Sequence, residues 1–323
     1  MLKIFLIFFI FCSPLFSMYD IDSRIEQLLL SHLSSIDETR NMLRSIEYTQ
    51  LQKQIDSWHT NNKKTDLLKK VFKLREVRLI RNIIRKEPRL FDEYGNTLLY
   101  YLIETPMIIN HSLAQWLLTE GIDSNVYNRF GYTALHYAII EKDLKIGYEN
   151  LVQDVIDILV QNKDTNLNNP TQKLAQTPLH LAVQEKNANL IHTLLDKKVL
   201  VDQKDRNGKT PLRYLVDLEN TSTQEIISFI ELFLHCGANI HSKDNENRTI
   251  LDSLVYKWNN NLIKFFLKKT NISLQECFNN GKQLLFQYLW NNPQVDQEIV
   301  TLLFEKAQQE KIAFDDPFCN QVN

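Results

Sequence analysis

A chain of 323 residues with 37 Lys and Arg against 39 Asp and Glu has a formal charge of −2, spread over both signs, so no global pull toward nucleic acid or a membrane surface is expected. At that length one large or two medium domains are the ordinary expectation, unless the chain is built of repeats. The cysteines at Cys12, Cys236, Cys277 and Cys319 are too few and too widely spaced for a disulfide framework, which leaves small, buried or semi-buried thiols.

Residues 1–17 read MLKIFLIFFIFCSPLFS: Lys3, an apolar run from Ile4 to Phe11, then Pro14 and the small Ser17. That is the build of a secretory signal peptide with cleavage after Ser17, and the run is too short to span a bilayer. With the leader removed, no membrane span is expected. Residues 18–66 hold no Pro or Gly, and their apolar residues recur at helical spacing. Ile21, Ile25, Leu28 and Leu29 begin one stripe, and Met42, Leu43 and Ile46 begin another. Two helices ending near Trp58 are predicted, serving as an N-terminal cap over the first repeat. Residues 67–91 turn basic. Phe72, Leu79, Ile80, Ile83 and Ile84 gather on one side of a helical wheel and Arg78, Arg81, Arg85 and Arg89 on the other, so the segment is read as a diverged first repeat or a cap with a solvated outer face.

From residue 92 to 310 the chain repeats. The stretch Thr177-Pro178-Leu179-His180-Leu181-Ala182 is echoed by Thr210-Pro211-Leu212 after 33 residues, and Thr133-Ala134-Leu135-His136-Tyr137-Ala138 precedes it by 44. Fainter copies lie at Thr97-Leu98-Leu99, Thr249-Ile250-Leu251 and Gln283-Leu284-Leu285. Each residue suits a helix start: the Thr hydroxyl can cap an orphan N–H, Pro at the first position loses no bond, and Leu and Ala share one apolar stripe. About eleven extra residues in the second unit are assigned around Asp143–Asn150, and the fourth unit carries the polar insert Glu219–Gln224. A sixth unit keeps only the Leu284-Leu285 pair and the Ile299–Phe304 helix, with Pro293 between its helices. Residues 311–323 form a polar tail.

T-P-L-H-x-A at a period near 33 resembles the ankyrin repeat. The resemblance implies an all-α solenoid of helix-turn-helix units with β-hairpin loops, preceded here by the helical N-terminal cap. Gly95, Gly131, Gly208 and Gly281 fall in hairpins, and Gly121 and Gly237 after second helices. Ala175, Asn247, Lys163, Lys198 and Thr270 stand where Gly is usual. In the family the His of the motif bonds to Thr and to nearby backbone; His136 and His180 match it, while Tyr100, Arg213 and Asp252 replace it elsewhere.

By the same resemblance, hairpin tips and the exposed side of the first helices form a concave face that binds another protein. The positions expected to supply specificity are Tyr94, Arg129, Phe130, Tyr132, Lys173, Arg206, Asn207, Lys209, Asn245 and Glu246, with Phe130 beside Arg129 as the anchor candidate. There is no P-loop, no G-x-G-x-x-G, no H-E-x-x-H and no G-x-S-x-G, so no catalytic residue and no cofactor is assigned. His235, Cys236 and His241 lack metal-ligand spacing, and no metal site is assigned. The basic helix has no interleaved exposed aromatics for stacking on bases, so nucleic acid is not the expected partner. The leading reading is a monomeric, exported, bacterial-type scaffold for a protein partner. Two others stay open: an enzyme with an unrecognised site in residues 18–66, and a self-assembling cell-envelope protein.

Overall fold

The computed structural model describes residues 48–53, 71, 79–80, 83, 92, 94–104, 110–142, 148–218, 221–276 and 296–312. The leader, most of the predicted cap, the basic face of 67–91, residues 143–147 of the second-unit insert, the first half of the sixth unit and the end of the tail lie outside the described residues. Within 48–53 the chain is helical and Leu51 is buried; Val71, Leu79, Ile80 and Ile83 are buried too, in keeping with an apolar side to the 67–91 segment.

Five helix pairs come next in order. They are α1 (Leu98–Glu104) with α2 (Asn110–Thr119), α3 (Ala134–Glu141) with α4 (Glu149–Gln161), α5 (Pro178–Gln184) with α6 (Ala188–Asp196), α7 (Pro211–Leu215) with α8 (Thr223–His235), and α9 (Ile250–Tyr256) with α10 (Asn260–Lys269). A 3-10 turn at Leu274–Glu276 and α11 (Gln297–Gln309) close the described stack. The first helices α1, α3, α5 and α7 pack in series, α2 lies against α4, and α8, α10 and α11 pack in turn. No single pair can bury both its stripes, so one contiguous apolar cluster runs through the stack from Leu98 to Ala307. The small, fully buried Ala138 and Ala182 sit where consecutive first helices meet, and allow that approach.

The helix starts follow the motif with instructive exceptions. Thr133, Thr177 and Thr249 each make a reciprocal capping box with His136, His180 and Asp252. Thr210 makes no side-chain cap although Pro211 follows it, and Arg213, a pure donor, offers no reciprocal acceptor three residues on. Thr97 keeps its hydroxyl buried without a partner.

The residues between units form hairpins at 92–97, 128–133, 171–177, 205–210 and 244–249. No strand is assigned among the described residues, yet each hairpin closes on itself, as in Asp205 N–H to Lys209 O (2.9 Å). Its first side chain also accepts from the turn: Asp205 Oδ1 takes the N–H groups of Asn207 and Lys209, and Asp244 and Asp92 repeat the pattern. Gly208 shows why one turn position needs glycine. Its φ is +76°, and an added Cβ would stand 2.7 Å from the backbone nitrogen of Asn245.

Ala175, Lys198 and Asn247 hold the left-handed backbone expected of glycine substitutes. Lys163 and Thr270 do not. The caps of α4 and α10, Asn162 and Thr270, are extended, so those helices end without a left-handed turn. Left-handed residues occur instead at Lys186 and Trp258, in the tight turns joining α5 to α6 and α9 to α10.

Candidate protein-binding surface

Consecutive hairpins are joined edge to edge by backbone bonds. Arg129 N–H donates to Tyr94 O (2.8 Å), Gln172 to Gly131 (3.0 Å), Arg206 to Leu174 (2.8 Å) and Asn245 to Asn207 (2.9 Å). The ladder lines up the tips of five units in one row.

Most of the sequence-predicted site residues fall on that row. Phe130 is 49% exposed and its ring stacks on Tyr94 at 6.5 Å between centroids. The Arg129 guanidinium lies over both rings, 4.8 Å from Tyr94 and 5.6 Å from Phe130. Cation and rings therefore hold one another in place before any partner arrives. Lys173 is exposed in the third hairpin. Arg206 is exposed in the fourth, its guanidinium donating to Gln172 O (3.2 Å), and Asn207 is exposed beside it. Asn245 reaches back to Arg206 O (2.8 Å), and Glu246 pairs with Arg248 (2.8 Å). Two residues sit elsewhere. Tyr132 is half-buried at the base of its hairpin, where its carbonyl accepts from Tyr100 Oη (2.6 Å). Lys209 turns away from the tips toward α7, bonding Asp217 (2.9 Å).

Leu174, 49% exposed between Lys173 and the left-handed Ala175, belongs to the row and was not among the predicted contacts. The third hairpin is a residue longer than its neighbours, closing from Thr171 N–H to Gln176 O, which moves a leucine out to the tip. Its place just before the glycine substitute is the signal that could have found it.

Tyrosines of the first helices, from the buried Tyr101 to the half-buried Tyr137 and Tyr214, are tied down by carboxylates. Tyr101 and Tyr214 each donate to the aspartate that opens their own hairpin, Asp92 (2.8 Å) and Asp205 (2.7 Å), while Tyr137 reaches back to Glu104 (3.3 Å). Burial, with the Asp205 bond added, pushes the Tyr214 phenol up to about 12, so it stays a neutral donor. At the end of α7, Asp217 accepts from Arg213 (3.2 Å), Lys209 (2.9 Å) and Lys257 (2.7 Å). Partial burial by itself would raise this carboxyl, but Arg213, Lys257 and Lys209 hold it below the usual carboxylate range. Tyr256 and Trp258, at the end of α9, are exposed and were not anticipated.

Between units, the side chain three residues after Thr97, Thr133, Thr177 and Thr210 makes the seam. His136 Nδ1 accepts the Thr133 N–H (3.1 Å), which places the ring proton on Nε2, facing Asn169 O (2.9 Å) in the next unit. His180 repeats this with Thr177 (3.1 Å) and Lys209 O (3.1 Å). Tyr100 uses its hydroxyl for the same crossing, and Arg213 Nη2 reaches Ser253 Oγ. Burial drives His136 down from 6.5 to about 4, against the opposing pull of the Asn169 carbonyl, and His180 moves the same way.

Residues 146–228 match the family of ankyrin repeats in three copies. The chain is 27% identical over 148 residues to alpha-latroinsectotoxin-Lt1a of Latrodectus tredecimguttatus, covering 46% of this chain and 10% of that one. It is 30% identical over 129 residues to an ankyrin repeat protein of Rickettsia bellii, covering 40% of this chain and 33% of the relative. The chain thus spans a third or less of the length of these relatives. Among solved structures, the ankyrin repeat domain of Bcl-3, of the IkappaB family, superposes with a TM-score of 0.56 at 18% identity, over 73% of this chain and 97% of that domain. The ankyrin repeat protein EF0377 gives 0.51 at 20% identity, over 63% and 97%. Residues 146–228 are thus ankyrin repeats, and the described residues have the all-α ankyrin-solenoid fold. Such repeats are a protein-interaction architecture and typically non-catalytic.

Proposed function

We propose that this chain is a non-catalytic scaffold that holds a protein partner along its hairpin tips and the adjoining first-helix face, and that it acts as a monomer after export. The observation that carries the reading is the Tyr94–Arg129–Phe130 cluster. An exposed aromatic, stacked and capped by a fixed guanidinium on a hydrogen-bonded ladder, is a preorganised anchor of the kind that dominates interface energies. Eight of the ten residues proposed from the sequence, all but Tyr132 and Lys209, define the contact region, and Leu174 extends it.

Affinity capture with the full chain, from the producing cell and from any host, supplies the partner for the test. Phe130→Ala is expected to weaken the captured complex by roughly 2 kcal/mol. The melting curve should hardly move, since surface changes away from special features stay within about 0.5 kcal/mol. Unaltered affinity in both Phe130→Ala and Leu174→Ala would remove the tips from the interface. Export rests on the leader-like residues 1–17. Protein recovered from its own cell is expected to begin near Met18 by intact mass, and a pool retaining Met1 would overturn that.

A further inference from the structure

The tip row is unevenly charged. Arg129, Lys173 and Arg206 occupy three successive hairpins, and among the described residues no carboxylate of this chain pairs with them. Three other groups of cations are neutralised: Lys209, Arg213 and Lys257 on Asp217, Lys264 on Asp296 and Glu298, Arg248 on Asp244 and Glu246. Two of the three tip cations are also fixed, Arg129 over aromatic rings and Arg206 on the Gln172 carbonyl. Phe130 and Leu174 stand exposed between them. At the fifth hairpin the charge reverses to Glu246, which ends the cationic run.

Resting on the scaffold reading above, we propose that the partner presents an acidic, extended segment that lies along hairpins two to four, with one carboxylate for each of Arg129, Lys173 and Arg206. Spacing sharpens the class. Packed helices stand about 8–10 Å apart, so hairpin tips step by a similar amount. A polyproline II segment rises about 3.1 Å per residue and returns a side chain to the same face every third residue. Acids at i, i+3 and i+6 meet three successive tips on one face, with intervening apolar side chains set against Phe130 and Leu174. An acidic cluster without that spacing would satisfy only one hairpin.

The test is a fluorescence-polarisation titration of the full chain with synthetic peptides of about ten residues, a length that spans three turns of polyproline II. One carries Glu at every third position with Pro and Leu between; a second has the same composition with the acids contiguous; a third has Lys for Glu. The spaced peptide is expected to bind roughly tenfold more tightly than the contiguous one, and to weaken as salt rises. The triple variant Arg129→Ala, Lys173→Ala, Arg206→Ala should lose that advantage and most of the salt dependence, with an unchanged melting curve. Equal binding of spaced and contiguous peptides, binding of the Lys peptide, no binding at all, or tighter binding of a single-stranded oligonucleotide would each overturn the proposal. A captured partner that needs Phe130 but tolerates the triple variant would leave the scaffold reading standing and reject this one.

Discussion

Leu179→Ala is expected to lower stability by on the order of 2–5 kcal/mol, because it removes a buried side chain that its neighbours can only partly replace. Leu179 is 1% exposed at the start of α5, and lies in the same buried cluster as Leu194, Leu212, Leu215 and Phe233. A typical domain has about 5–15 kcal/mol in all. In a stack, stability is a sum of unit and neighbour terms, and Leu179 serves both its own unit and the seam to the next. The loss should therefore reduce cooperativity as well as the midpoint: urea denaturation should show a lower midpoint and a shallower or split transition. A change below about 1 kcal/mol with the slope intact would mean that the site collapses around the cavity, contrary to close packing at this seam.

The second large effect is acid lability well above the carboxylate range. His136 falls from 6.5 to about 4 on burial, so between those values the folded state binds fewer protons than the unfolded chain. Stability is then complete above about pH 6.5 and is lost as pH falls toward 4, by on the order of 3 kcal/mol for this residue. About 2 kcal/mol of that is gone by pH 5. His180 contributes with the same sign. Protonation fails structurally too, because a proton on Nδ1 would face the Thr133 N–H that Nδ1 now accepts. Urea midpoints at pH 7 and pH 5 provide the check, with His136→Gln as the comparison. If the variant declines as steeply as the parent across that interval, some other group is responsible.

The fold was legible because its signals are local. Thr177, Pro178 and His180 carry helix start, first turn and cap within four residues, and the structure places each in that role. Phe130 was readable for the same reason, as a tip residue set by the turn around Gly131. What escaped depends on partners far along the chain. Asp217 meets Lys257 only because α7 and α9 fall in register across a polar insert whose length the sequence does not convert into geometry. Lys209 looked like a tip residue by position, yet a carboxylate one helix away draws it inward. Leu174 was passed over as a tip residue, because the one extra residue that exposes it appears only in how its hairpin closes.

The seams also bear on how such a chain can change over time. Tyr100, His136, His180 and Arg213 cross to the next unit by different chemistry, each fitted to the particular acceptor opposite it: Tyr132 O, Asn169 O, Lys209 O and Ser253 Oγ. A tandem array of identical modules can gain or drop a member by unequal recombination, since every new junction copies an old one. Here the junctions differ in tolerance: loss of the third unit would set His136 against the Lys209 carbonyl that His180 now uses, whereas loss of the fifth would take the Ser253 hydroxyl away from Arg213. A crossing that ends on a backbone carbonyl tolerates a new neighbour, while the one that ends on the Ser253 side chain ties the fourth unit to the fifth.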